Sequence, residues 1–281
     1  MDEDWREIDE STYDYRDLRR GDLGAADFSG QSMRGVLLMG RRFAGLNVRG
    51  SNLTGAHLDG GMFTDADFRE TDLTRASSEA SMFNDCDFRA AVMDETRLEA
   101  RWRDTDLSLL VAKNSTLHGS FMTVVNAQSA SFTDVGMKGS NFHRVNFDKA
   151  VFKSDVDRTS LTNTEMFATT FRYASISGTD MDKVKVREGD FTGASIFNSN
   201  LNWAELTSTD FTGVHVSDVT LRGAKFTRCV FAGALIEGQL DEKTRFDDCD
   251  LSGARFVLAD NPDNRAAAPQ VEAAGAVIDW T

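Results

Sequence analysis

Ser51-Asn52-Leu53-Thr54-Gly55-Ala56-His57-Leu58-Asp59-Gly60 repeats itself after five residues: a small side chain, a polar one, leucine, a free position, glycine. Outward from this stretch the large residue returns at every fifth position. Towards the start it runs through Val48, Phe43, Leu38, Met33 and Phe28 to Leu23. Towards the end it runs through Phe63, Phe68, Leu73 and, past Ser78, through Phe83, Phe88, Met93 and Leu98. The series resumes at Leu107 and continues to Phe152, then again from Leu161 to Ile236, with Phe246, Leu251 and Phe256 at its end. An amphipathic helix does not account for this period, because five residues at 100° each leave successive side chains ~140° apart.

The positions around the large residue have their own preferences. Two before it stands a small residue, as in Ala66, Thr71, Cys86, Ala194 and Ala224. Immediately before it Asp or Asn is frequent (Asp67, Asp87, Asn141, Asp190, Asp210), and such side chains bond to nearby backbone and support turns. Two after it glycine is common, which suits a left-handed corner. Both prolines of the chain, Pro262 and Pro269, lie in the last twenty residues. Their absence elsewhere fits a backbone whose amides are nearly all hydrogen-bonded.

These residues resemble the pentapeptide-repeat family, over about 21–256. The resemblance implies an all-β fold: a right-handed quadrilateral parallel β-helix with four pentapeptides to each coil. Large and small residues should then fill a square interior. Two intervals, Leu98 to Leu107 and Phe152 to Leu161, span nine residues where ten are due. Reading each as hiding one four-residue side makes Trp102 and Val156 the missing large residues. That gives 48 sides in twelve coils, a rod of about 55–60 Å at ~4.8 Å per coil. It also predicts an aromatic ladder of Phe132, Phe152, Phe171, Phe191, Phe211 and Phe231, with Leu117, Met137, Val156, Ile176, Ile196, Val216 and Ile236 as its neighbour.

Residues 1–20 are expected to form a cap or irregular first coil, in which Ile8, Tyr13 and Leu18 keep the phase. The segment 239–243 reads as a bulged side or small loop. Residues 257–281 show no period and read as a capping or dimerising tail, with Val277, Ile278 and Trp280 docking on an open end, since solenoid ends need covers.

The 281 residues carry 31 basic and 45 acidic side chains, a net charge of −14. This argues against direct binding of nucleic acid or an anionic membrane. No run approaches the ~20 apolar residues of a membrane span. The acidic start, Met1 to Glu7, lacks the basic-then-apolar order of a secretion signal. A cytoplasmic protein is expected.

No catalytic pair, metal motif or phosphate loop stands out, and neither enzyme activity nor a cofactor is expected. Cys86, Cys229 and Cys249 all fall on the small inward position. Cys229 and Cys249 should lie one coil apart, within bridging distance, although free buried thiols are the expectation. His57, His118, His143 and His215 fall on outward positions of different sides and read as solvated.

Binding surfaces are better supported. Met62, Met82, Arg101 and Phe121 should line up in successive coils as an outward strip, with Leu109 and Val124 at corners nearby in sequence. Val92, Val111 and Val151 mark a second face, and Phe167, Phe197 and Trp203 are outward aromatics. A contiguous apolar strip suits a protein partner or a homodimer. Some members of the resembled family, the Qnr-like and mycobacterial fluoroquinolone-resistance proteins, protect type II topoisomerases as acidic DNA mimics. The resemblance therefore implies DNA gyrase or topoisomerase IV as a partner, with a scaffold or effector for an unrelated protein as the alternative. Against mimicry, seven of the fourteen excess negative charges lie in the first twenty and last twenty-five residues. B-DNA of the rod's length would carry over ~30 charges.

Overall fold

The computed structural model describes residues 25–153 and 160–281. Leu23, the expected N-terminal cap with Ile8, Tyr13 and Leu18, and Val156 lie outside them. The chain winds as a parallel β-solenoid of about twelve turns. Its coil has four walls, numbered here in chain order from the side centred on Phe28.

Walls 2 and 4 are true sheets, with ten and eleven strands. Wall 4 opens with Arg42–Ala44 and ends with Arg245–Asp247, and its register steps by twenty residues, Phe43 to Phe63 to Phe83. Walls 1 and 3 pair through single parallel bridges such as Asp67 to Asp87 and Ser77 to Arg97. Most backbone hydrogen bonds therefore run along the rod from coil to coil, beside turn bonds within a coil such as Ser51 N to Val48 O, and a proline within a coil would break that ladder.

Each residue of the five-residue unit has a visible task. The large residues and the small ones two before them are buried along most of the described solenoid, with Ala26 and Phe28 at its start and Cys249 near its end half-buried. The small residue also bonds where it is a hydroxyl: Ser51 Oγ donates to Phe28 O at 2.7 Å, and Ser81 Oγ to Leu58 O at 2.7 Å, each one coil back. The Asp or Asn accepts from the amide two residues on, as Asp67 Oδ1 does from Arg69 (3.0 Å) and Asp210 Oδ1 from Thr212 (2.8 Å). The corner residue takes positive φ, +68° at Gly55, but also +52° at Asp65 and +54° at Val124. Glycine is thus the cheapest occupant of the corner and not the obligatory one.

The two nine-residue intervals resolve differently. Trp102 pairs with Phe83 and stacks on its ring at 4.5 Å, so the first interval does contain a four-residue side. The second does not. Phe152 pairs with Ile176, and Gly136 bridges directly to Ser160, which seats Leu161 over Met137 with no intervening side. This coil has 24 residues, and the expected columns must be redrawn. Phe132 and Phe152 belong to wall 2, continuing into Ile176, Ile196, Val216 and Ile236. Phe171, Phe191, Phe211 and Phe231 belong to wall 1 and follow Phe147, whose ring stacks on Phe171 at 5.1 Å. Leu117 and Met137 lie on wall 3 and not beneath Ile176. The physical reason is that inserting four residues into one side preserves the stacking of every other side. Near Gly238 the register shifts again, and Leu240 is fully buried, so the irregular side expected there is a bulge.

Beyond the last coil the chain forms a helix, Pro262–Ala273, and a strand, Val277–Trp280. Asn261 caps the helix by accepting from Asn264 N at 2.9 Å, and proline sits in its first turn, where no amide partner is lost. Asn264 is fully buried because its amide serves the solenoid: Oδ1 accepts from Leu240 N (2.9 Å) and Nδ2 donates to Ala259 O (2.8 Å). The strand joins wall 2, with Ile278 beside Phe256.

Candidate functional site

The short side at Trp102 opens the principal groove. Along the edge between walls 3 and 4, a left-handed residue marks most coils: Gly60, Ala80, Gly119 and Gly139 take this place or, for Ala80, hold φ at +55°. Between Leu98 and Trp102 only Glu99, Ala100 and Arg101 remain, and none has positive φ. The edge is cut back there. A groove of about 440 Å³ results, floored by Gly60, Ala80, Ser81, Ala100 and Gly119 and walled by Met62, Met82, Glu99, Arg101 and Phe121.

Wall-4 pairing puts Met62, Met82, Arg101 and Phe121 in one file, as their spacing predicts. Phe121 is 52% exposed, and the Arg101 guanidinium lies 5.8 Å from the centre of its ring. Such a contact holds the guanidinium near the apolar strip while leaving its donors open. Below the file Trp102 is buried, and its Nε1 has no hydrogen-bond partner among the described residues. Val124, 44% exposed, ends the same side three residues after Phe121.

The other two predicted contact residues are not part of this groove. Leu109 turns the corner from wall 1 towards wall 2, next to exposed Val111, and so faces away from wall 4. Trp203 lies on the same edge as Gly119 but four coils farther along, where Lys243 Nζ sits 5.4 Å from its ring. A Cβ on Gly223 would meet that indole at 2.5 Å, so Trp203 is laid flat over the next coil.

A second groove, of about 230 Å³, lies farther up wall 4 between Asn141, His143, Glu165, Phe167, Lys185 and Arg187. The His143 and Phe167 rings are 5.2 Å apart across the 24-residue coil. Sequence reasoning separated these residues by assigning Val156 a side of its own. His57 and His118 share wall 3, three coils apart, and among the described residues no three His, Cys, Asp or Glu side chains converge on a metal position.

Charge differs by wall. The outward residues of the wall-4 strands include seven basic ones, Arg42, Arg101, Arg103, Lys185, Arg187, Lys225 and Arg245, against Glu165, Glu205 and Asp247. Wall 1 carries a run of aspartates. Asp67, Asp87 and Asp106 stack there one coil apart but are laced by arginine: Arg69 Nη2 reaches Asp67 at 2.5 Å and its Nε reaches Asp87 at 3.6 Å. The hydrogen bond from Arg69 holds the Asp67 carboxyl below its ordinary range. Burial would push the Asp148 carboxyl up, but hydrogen bonds from Arg172 and Thr170 outweigh it and hold it down. The arginine cross-links thus neutralise much of the acidic ladder.

The pentapeptide-repeat family description matches eight copies, over residues 22–60, 62–100 and 174–213. Among solved structures, the chain is similar to HetL, a pentapeptide-repeat protein involved in heterocyst differentiation regulation from the cyanobacterium Nostoc sp. strain PCC 7120. The two are 19% identical, over 82% of this chain and 92% of that one, with a TM-score of 0.44. A trypsin-treated variant of QnrB1, a plasmid-mediated fluoroquinolone resistance protein, is 16% identical over 86% of this chain and 97% of its own, with a TM-score of 0.36. No curated protein sequence matches. The chain thus carries the repeats of the pentapeptide-repeat family over these residues, within a coil that is four-walled through the described turns.

Proposed function

We propose that this protein is a non-enzymatic interaction rod that docks an acidic, apolar-bearing surface of another protein on wall 4. The observation that carries this reading is the groove at the short side, where half-buried Met62 and Met82 and exposed Phe121 line up with Arg101. A buried apolar centre with a cationic anchor is how compact protein interfaces concentrate their affinity. The excess of basic residues on this wall, within a chain of net charge −14, supplies the sign of the partner. The terminal helix and strand are its cap, since they satisfy the backbone of the last coil. Pull-down from the native host with the wild type and with Phe121→Glu tests the reading. Proteins captured equally by both would refute the docking face.

The finer reading, protection of DNA gyrase or topoisomerase IV by an acidic mimic of DNA, takes its support from wall 1, where Asp67, Asp87 and Asp106 stack and, farther along, Asp190 and Asp210. Its stacked aspartates are ~4.8 Å apart against ~1.7 Å per charge for duplex DNA, and Arg69, Arg89 and Arg172 pair with several of them. A gyrase supercoiling assay with and without a fluoroquinolone decides it. Absence of both inhibition and rescue at micromolar protein leaves an unrelated protein partner. Among the described residues no helix is long and apolar enough to cross a membrane.

A further inference from the structure

The stacked geometry of Cys229 and Cys249 points to a modification site: a dithiol that a peroxide-class oxidant converts to a disulfide across the last two coils of wall 1. Both cysteines take the small inward place two before a large residue, and their neighbours Val230 and Asp250 are directly bridged. Registered residues on adjacent coils have Cα atoms ~4.8 Å apart, inside the span a disulfide accepts. Cys229 N donates to Cys249 Sγ at 3.4 Å, so the second sulfur leans back onto the first residue. Cys249 is half-buried, whereas Cys229 is buried, so one sulfur meets the oxidant and the other waits behind it. The Cys249 thiol donates a hydrogen bond to the Cys229 sulfur, which favours loss of one proton from the pair.

Cys86 is the internal control. It holds the same place in the repeat but has no cysteine in the coil on either side, where Ala66 and Thr105 stand. Burial pushes its thiol up to about 12.

The chemistry balances with the oxidant alone. The more exposed Cys249 sulfur passes its proton to the Cys229 thiolate as it attacks a peroxide oxygen, giving a sulfenic acid and hydroxide. The Cys229 sulfur, its proton passing to the leaving hydroxide, then attacks Cys249 Sγ, forming the S–S bond and releasing water. Two thiols and one hydrogen peroxide become one disulfide and two waters.

The test uses the full chain, reduced, exposed to equimolar hydrogen peroxide and then alkylated with N-ethylmaleimide after unfolding. One adduct per chain, on Cys86, and a crosslink joining the tryptic peptides that begin at Cys229 and Phe246 are expected. Cys249→Ser should retain two alkylatable thiols and its wild-type melting curve. Three adducts on the treated wild type, sulfinic acid at Cys249 in place of the crosslink, or chain-to-chain disulfides through Cys86 would each overturn the assignment.

Discussion

Phe171 and Phe191 lie ring on ring, their centroids 4.7 Å apart and their planes 9° from parallel, although twenty residues separate them in the chain. Phe211 and Phe231 extend the same pile on wall 1 at 5.0 and 4.8 Å. Each ring is thus buried between two others, and removing one leaves a void that its neighbours cannot fill without leaving their own coils.

Phe191→Ala should therefore cost about 3–5 kcal/mol, and Ala194→Leu, which forces a large group into a fully buried small position, about 1–3 kcal/mol. Denaturant unfolding measures both. Wild-type midpoints for the two variants would show that neither side chain faces the interior.

Val124 holds φ at +54°, a left-handed conformation that a β-branched residue avoids, while 44% of it remains exposed. Nothing in the solenoid rewards this choice, since Asp85 and Asp104 occupy the same corner in preceding coils. Val124→Gly should stabilise the protein by about 1 kcal/mol. Calorimetry reads the stability, and the same variant should bind the wall-4 partner more weakly, because strain kept on a surface accompanies function.

Phe121→Glu changes only an exposed position on a wall whose strands are held by backbone pairing. Its melting temperature should stay at the wild-type value, within about 0.5 kcal/mol of stability. Trp102→Ala, one layer beneath, should cost about 3–5 kcal/mol. Together the two separate loss of a docking surface from loss of the groove's foundation, read by thermal melts alongside partner capture.

Asp67 and Asp148 bear on acid stability. Hydrogen bonds from arginine hold both carboxyls below their unfolded values, so each stabilises the fold at pH above the ordinary carboxylate range. As pH falls through the folded-state values that contribution disappears. Unfolding free energy should drop below about pH 4, and Asp148→Asn should flatten the drop while lowering stability at pH 7. An acid limb of the same slope in the variant would show that the pair does not contribute.

How much of this was legible in the sequence differs from residue to residue. The inward place of Leu53 or Ala56 follows from the period alone, and the file Met62, Met82, Arg101, Phe121 follows once Trp102 is taken as a large residue on a short side. The groove did not follow. It arises because the four-residue side lacks a corner residue, and a missing corner leaves no letter to read. The His143–Phe167 pair was hidden for a related reason, since it depends on how the chain bridges residues 152 to 161.

The period of five, set by one large and one small side chain per unit, determines by itself which side chains face a stacked interior, because no helix or alternating strand can bury that pattern. Which columns share a wall was decided only in three dimensions. A nine-residue interval holds either two sides or one enlarged side, and both bury the same residues. The choice is made by hydrogen bonds from coil to coil: Trp102 closes a short side over Phe83, whereas Ser160 bridges to Gly136 and carries Phe152 into register with Ile176.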